Sequence, residues 1–411
     1  MVEPSLSTSA DTDPATDPTW AELRSSSDSP PVQMAAVRMG WRGDLVTAVL
    51  AAWLVGGAFA DGWAHNTQPG LETFFTPWHA LLYSGYAASA SWLCWSARCH
   101  RRRLHLAGLG IEARGWRSWW RSIPAGYAPA IAGAGLFLAA GLGDLSWHLA
   151  FGVERDIAAL LSPTHLGLFA GGLLIVTAPL RSASVDPTLG DRPGLGRLLP
   201  AVLSAALVGC ATAFMFQYLH PAWEDIVGRD RGLFPRQTFD AAQYHFAYDQ
   251  NVTVGLAGFV LATVFLFGPL LMLLRHWQPP AGSAVLLLAG QTIAVQGLTG
   301  FSDAGLALVG VAGAVVVEVL LAFLRPRLSP GWRMPVFCAL APAGFWSVYF
   351  GGVAVGDHGL GWPPALWGGA IVWSGLTLLV LALMTVPPRA PTQARETARG
   401  AGFIVAGQQQ E

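Results

Sequence analysis

DLVTAVLAAWLVGGAFADGWAH, residues 44–65, is the stretch on which the reading of the chain turns. It carries no charge from Leu45 to Ala60 and then closes on Asp61 and His65. About 20 apolar residues are needed to cross the hydrocarbon of a bilayer. Lipid offers no hydrogen bonds, so such a run must satisfy its backbone internally, as a helix. Working outward, nine further runs of this kind occur, at 76–96, 125–147, 161–180, 198–219, 251–274, 283–300, 304–324, 334–354 and 363–385. The chain therefore reads as all-α: a polytopic transmembrane bundle of about ten spans in five helical hairpins.

Composition agrees. Of 411 residues 53% are hydrophobic and 12% charged. A soluble domain carries roughly 25% charged residues. The 48 Gly and 18 Trp fit membrane helices and interfaces. A net charge of −1 implies no nucleic-acid partner. The bilayer is the expected partner, and the plasma (inner) membrane the expected location. Residues 1–40 are rich in Ser, Pro, Asp and Thr and cannot bury enough surface to fold, so they read as a disordered tail, as do 386–411. Between them, 41–385 forms the transmembrane domain. The first apolar run is expected to serve as an uncleaved signal. Cys94, Cys99, Cys210 and Cys338 show neither a disulfide framework nor a metal-type cluster.

Arginine placement orients the spans, because short cytoplasmic loops collect positive charge. The chain has no Lys, and a ten-span count puts 20 of its 24 Arg on one side. Arg155, Arg229, Arg231 and Arg236 are the exceptions. Both termini are then cytoplasmic. Histidine runs the other way: His65, His79, His148, His165, His220, His245 and His358 fall at the outer side, and only His100, His105 and His276 at the inner.

Part of that outer set is written twice. Hairpin 44–96 holds Asp61-x3-His65, Glu72 and Thr76-Pro77-Trp78-His79, with Gly85 six residues on. Hairpin 125–180 holds Asp144-x3-His148, Glu154 and Ser162-Pro163-Thr164-His165, with Gly171 six residues on. Asp and His four apart share one helix face. Ser or Thr before Pro is a helix start, the hydroxyl capping and the ring taking the first turn. The positive helix end there favours a neutral imidazole, the form that ligates metal. Two copies supply four His and four carboxylates, a donor set for Cu, Zn or Fe rather than a soft thiolate site. Taken singly, each of these His reads as an ordinary interfacial residue. Ionisable groups at membrane depth, in duplicate, read as a functional site.

Other features are weaker. The outer loop 220–250 carries aromatic and acidic patches, among them His245 and Asp249, and is long enough to act as a lid or a surface for a membrane or extracytoplasmic partner. Asp303 and the Asp357-His358 pair echo the plan in later hairpins. Glu318 is expected to snorkel toward the inner interface, and Gln291 and Gln296 to bond between helices.

Asp61-x3-His65 followed by His79 resembles the Asp-x3-His…His metal motif in the membrane C subunit of particulate methane and ammonia monooxygenases. The resemblance implies that Asp61, His65 and His79 ligate a metal near the outer face, and by extension Asp144, His148 and His165. It covers a few dozen residues and does not extend to the span count, the duplication or hydroxylase activity. Along the rest of its length the chain resembles bacterial multi-pass membrane proteins, which implies no particular chemistry.

The expectation is an extracytoplasmic metal site of Asp61, His65, Glu72, His79, Asp144, His148, Glu154 and His165. It holds a divalent transition ion for redox chemistry, metal handling or metalloenzyme assembly. The alternatives are a proton-coupled secondary transporter and a scaffold that binds a partner through its outer loop.

Overall fold

The computed structural model describes residues 38–68, 75–106, 115–152, 156–223, 226–227, 241–328, 330–356 and 359–385. Among them the chain is helical throughout, with no strand. In order it forms α1 (Trp41–Thr67), α2 (Pro77–Leu106), α3 (Trp116–Arg121), α4 (Ala128–Phe151), α5 (Asp156–Leu161), α6 (Pro163–Val176) and α7 (Ala178–Ser184). Then follow α8 (Leu195–Met215), a 3-10 turn (Gln217–Leu219), α9 (Ala241–His276), α10 (Ser283–Leu298), α11 (Ala304–Arg327), α12 (Pro330–Val355) and α13 (Pro364–Met384).

Among the described residues, eight helical segments are long and apolar enough to cross a membrane: α1, α4, the α6–α7 pair, α8, α9 from Tyr248, α11, α12 from Gly331, and α13. Two of the ten expected spans fall short of that standard. Run 76–96 lies in α2, a 30-residue helix whose apolar sequence is broken by His79, Ser84, Ser89, Ser91 and Ser96. Run 283–300 lies in α10, which has 16 residues. At 1.5 Å per residue that is about 24 Å, less than the roughly 30 Å of hydrocarbon. Leu287, Leu288, Gln291, Thr292, Val295 and Gln296 of α10 are buried against its neighbours, while Leu286 and Ile293 stay exposed. The expected loop 220–250 is also shorter than its sequence suggested. Residues 241–250 begin α9, since no Gly or Pro interrupts 241–254. The tail residues 1–37 and 386–411 lie outside the described residues.

Glycine sets how closely the first helices approach. A Cβ on Gly57 of α1 would stand 2.6 Å from Leu82 Cα, and one on Gly85 of α2 would stand 2.8 Å from Leu54 Cα. The pairing 57 with 82 and 54 with 85 makes α1 and α2 antiparallel. Helices α4 and α6 repeat this: a Cβ on Gly171 would meet Gly133 O at 2.8 Å and Phe137 Cα at 3.0 Å. In both copies the glycine six residues after the second His abuts the residue seven before the Asp, Leu54 or Phe137. The repeat read from sequence is thus a repeat of packing. Leu54, Leu82, Phe137, Leu168 and Ile175 form one core with Tyr127. A larger core joins α8 to α13 around Phe259, Phe267, Phe345 and Trp346.

The start of α1, at the end of the helix away from Asp61 and His65, is tied by a polar cluster that sequence reading passed over. Asp44 is buried in α1, accepting from Tyr127 Oη at 2.7 Å and Ser182 Oγ at 3.2 Å. Thr47 accepts from Tyr127 Oη and from Trp92 Nε1. Arg38 pairs with Asp186. Pro179, in the first turn of α7, interrupts the expected single helix 161–180, and Arg181 donates to Leu174 O at 2.7 Å and Gly126 O at 3.0 Å across the break. Glu318 does not snorkel freely: its Oε2 accepts the backbone N–H of Ala284 at 2.9 Å, capping α10.

Candidate metal centre

Each hairpin places one Asp and two His side by side. Asp61 and His65 end α1, and His79 opens α2. Nε2 of His79 lies 3.6 Å and Nε2 of His65 3.9 Å from Asp61 Oδ2. Asp144 and His148 end α4, and His165 opens α6. Nε2 of His148 lies 3.6 Å from Asp144 Oδ2, and Nδ1 of His165 lies 3.5 Å from Asp144 Oδ1. In each triad, one ligand atom from every residue falls within 4.8 Å of the others. The imidazole pairs match in geometry, with centroids 5.7 Å apart at 77° in the first and 5.9 Å apart at 74° in the second. Glu72 and Glu154 lie outside the described residues.

Local structure explains the His placement. Thr76 Oγ1 accepts the backbone N–H of His79 at 3.1 Å, and Ser162 Oγ that of His165 at 3.2 Å. These are the expected N-terminal caps. Each hydroxyl also touches the Nδ1 of the same His, at 3.1 Å and 2.6 Å. One residue therefore starts the helix and orients the ring.

Hydrogen-bond direction fixes two tautomers in the second copy. His148 Nδ1 lies 3.1 Å from the Gly152 carbonyl. A carbonyl only accepts, so Nδ1 carries a proton, and in the neutral, ligating form of the ring the lone pair is on Nε2, on the side of Asp144. Thr164 donates to Asp144 Oδ1 at 2.8 Å and lies 3.0 Å from Ser162 Oγ. A carboxylate also only accepts. Thr164 must then receive the Ser162 proton, and Ser162 the Nδ1–H of His165, so its lone pair too is on Nε2. In the first copy Trp78 occupies the place of Thr164, and no such relay forms. Asp61 Oδ1 is left buried with no hydrogen-bond partner.

These residues suit a metal. Bonds of about 2 Å at tetrahedral angles set two ligand atoms roughly 3.3 Å apart. The Asp–His separations through Nε2 of His65, His79 and His148, 3.6–3.9 Å, are close to that and too long for hydrogen bonds. Hydroxyls and a carbonyl on the outer ring nitrogens are the supports that ligating His ordinarily has. Nitrogen and oxygen donors without thiolate suit Zn, Fe or Cu(II).

Both triads line a single cavity of about 110 Å³, reached by Asp61, His79, Asp144 and His165 and walled by apolar residues such as Leu82, Phe137 and Phe214. Tyr83 lines it as well. Its ring is stacked with His79 at 6.4 Å, and it reaches α4, where a Cβ on Gly141 would stand 3.0 Å from Tyr83 Cε1. Sequence reading missed Tyr83 and Thr164. Tyr83 follows His79 by four residues, the same one-face spacing used for Asp61 and His65. The hydroxyl of Thr164 sits inside the quoted Ser-Pro-x-His motif. No protein-family model, no curated protein and no solved structure matches this chain.

Proposed function

We propose that this protein is a membrane metal-binding protein in which each of the first two hairpins holds one divalent transition ion. Asp61, His65 and His79 ligate the first, and Asp144, His148 and His165 the second, with Glu72 and Glu154 as further carboxylates. The observation that carries this reading is that in each triad one ligand atom from the Asp and from both His lies within 4.8 Å of the others. Nε2 of His148 lies 3.6 Å from the Asp144 carboxylate, with Nδ1 committed to Gly152, so a neutral ring turns its lone pair to the carboxylate. Two electron-rich atoms so placed in a buried site are stabilised by a cation between them. The orphaned Asp61 Oδ1 makes the same demand on the first triad. The ions would supply Lewis-acid or redox chemistry, or be handed on to another protein.

In this reading α2 and α10 also cross the membrane, packed against more apolar neighbours, which gives ten spans and five hairpins. Both termini are then cytoplasmic and the triads lie at the extracytoplasmic mouth, in the plasma membrane. The support is the Arg distribution, which only this count sorts to one side.

Metal analysis of detergent-purified protein tests it. Wild type should carry two ions per chain, and His65→Ala/His79→Ala or His148→Ala/His165→Ala one each, at two sites of the same donor type. Equal, near-zero metal in wild type and both variants, after growth and reconstitution with Cu, Zn and Fe, would sink the proposal. Thr164→Val should weaken the second site about 10–100-fold by removing the relay that orients His165. Because Trp78 already stands at the matching position, the first site should keep its affinity. Competition titration with a chelator separates the two.

A further inference from the structure

At the Arg-rich end of the molecule, far along the helices from the triads, lies a second cavity of about 260 Å³. It sits where α9 and α11 end and α12 begins. Arg275, Arg325 and Arg333 line it, with Trp277 and Phe337 as apolar wall; Asp191 is the one acid lining it among the described residues. Among the described residues, none of the three Arg pairs with a carboxylate there. Arg275 donates to Thr385 Oγ1 at 3.0 Å and to the Ala382 carbonyl, Arg325 to Pro279 O at 3.0 Å, and Arg333 to Leu328 O at 3.1 Å. These bonds hold the guanidinium groups in place and leave donors over. The Nε–H groups of Arg275 and Arg333 are buried with no partner. Arg325 lies within Coulombic reach of Arg192 and Arg333, whose like charges repel its own, with Glu318 the compensating group. Arg333 stands in the first turns of α12, where the positive helix end adds to the field.

Topology alone explains why Arg lies on this side, but not why three converge on one cavity with buried donors unsatisfied. Arg327 is what topology alone produces. It belongs to the same end of α11, is exposed, bonds Phe323 O of its own helix at 2.9 Å and lies 3.7 Å over the Phe323 ring.

We propose that this cavity binds a phosphorylated ligand, with Arg275, Arg325 and Arg333 holding the phosphoryl group and Trp277 and Phe337 receiving an apolar body beside it. Guanidinium forks match phosphate oxygens in geometry and charge. An anionic phospholipid and a soluble phosphate offer the same chemistry. The full-length protein, delipidated in a neutral sugar detergent, is titrated with phosphatidylglycerol and separately with inorganic phosphate. Binding is followed by native mass spectrometry and by the shift in the unfolding midpoint. Wild type and Arg327→Gln should bind at least one probe about tenfold more tightly than Arg325→Gln/Arg333→Gln. Arg325→Lys/Arg333→Lys keeps the charge, and so the topology, but loses the fork; it should fall between. A response to phosphatidylglycerol alone assigns a lipid headgroup, and a response to inorganic phosphate a soluble ligand. Equal affinity of wild type and both double variants for both probes overturns the proposal.

Discussion

Taking the purified protein from pH 7 to pH 4 should cost roughly 3 kcal/mol through His220 alone, and His220→Asn should abolish that part of the loss. His220 follows the 3-10 turn after α8, outside the spanning segments, and is 3% exposed. Its Nδ1 accepts the backbone N–H of Ala222 at 3.1 Å, which puts the proton on Nε2, and Nε2 is buried with no partner. Burial penalises the charged form and pushes its pKa from 6.5 down to about 4. Below 6.5 the unfolded chain takes up a proton that the folded one refuses, so protons favour unfolding. This contribution is intact above pH 6.5 and is lost as pH falls toward 4. Asn keeps an acceptor for Ala222 and does not titrate. Unfolding midpoints of wild type and variant across this range make the comparison, since every other titrating group cancels. Parallel acid losses in the two proteins would count against the assignment.

The second large effect concerns neighbouring glycines. Gly57→Ala should destabilise the protein by about 2 kcal/mol, and Gly85→Leu or Gly171→Leu by about 3 kcal/mol each. Gly56→Ala should be neutral or stabilise by up to about 1 kcal/mol. Gly56 has nothing within 4 Å of an added Cβ, whereas Gly57 has the Leu82 backbone at 2.6 Å. Backbone cannot rotate aside as a side-chain tip can, so α1 and α2 must part. Parting them moves His79 off Asp61, so the Gly85 and Gly57 variants should also lose metal at the first triad, while Gly171→Leu should lose it at the second. Denaturant midpoints and metal content together check this. Equal stability of the Gly56 and Gly57 variants would refute the packing argument.

Much of the candidate site was legible because its logic is local. Asp61 with His65 and Asp144 with His148 are i, i+4 pairs, and the caps at Thr76 and Ser162 lie three residues before their His. What was illegible depends on contacts distant in sequence. Asp44 finds Tyr127 and Ser182 83 and 138 residues away. Gln296 donates to Ala222 O 74 residues back, pinning the segment after the 3-10 turn. Tyr349 Oη does the same to Pro221 O at 3.0 Å. Nothing in the pattern around His220 announces that these contacts bury it.

Apolar run length, Arg asymmetry and capping chemistry are properties of short windows. From them the sequence by itself determined that this is a helical membrane protein with a duplicated Asp-His-His hairpin. Span number differed because α2 is interrupted by polar residues and α10 is short. Only the tertiary structure decided that each hairpin closes its own triad, glycine against backbone, and that both triads open on one cavity. Those outcomes rest on which side chains packing brings within a few ångströms, and spacing along the chain does not encode that.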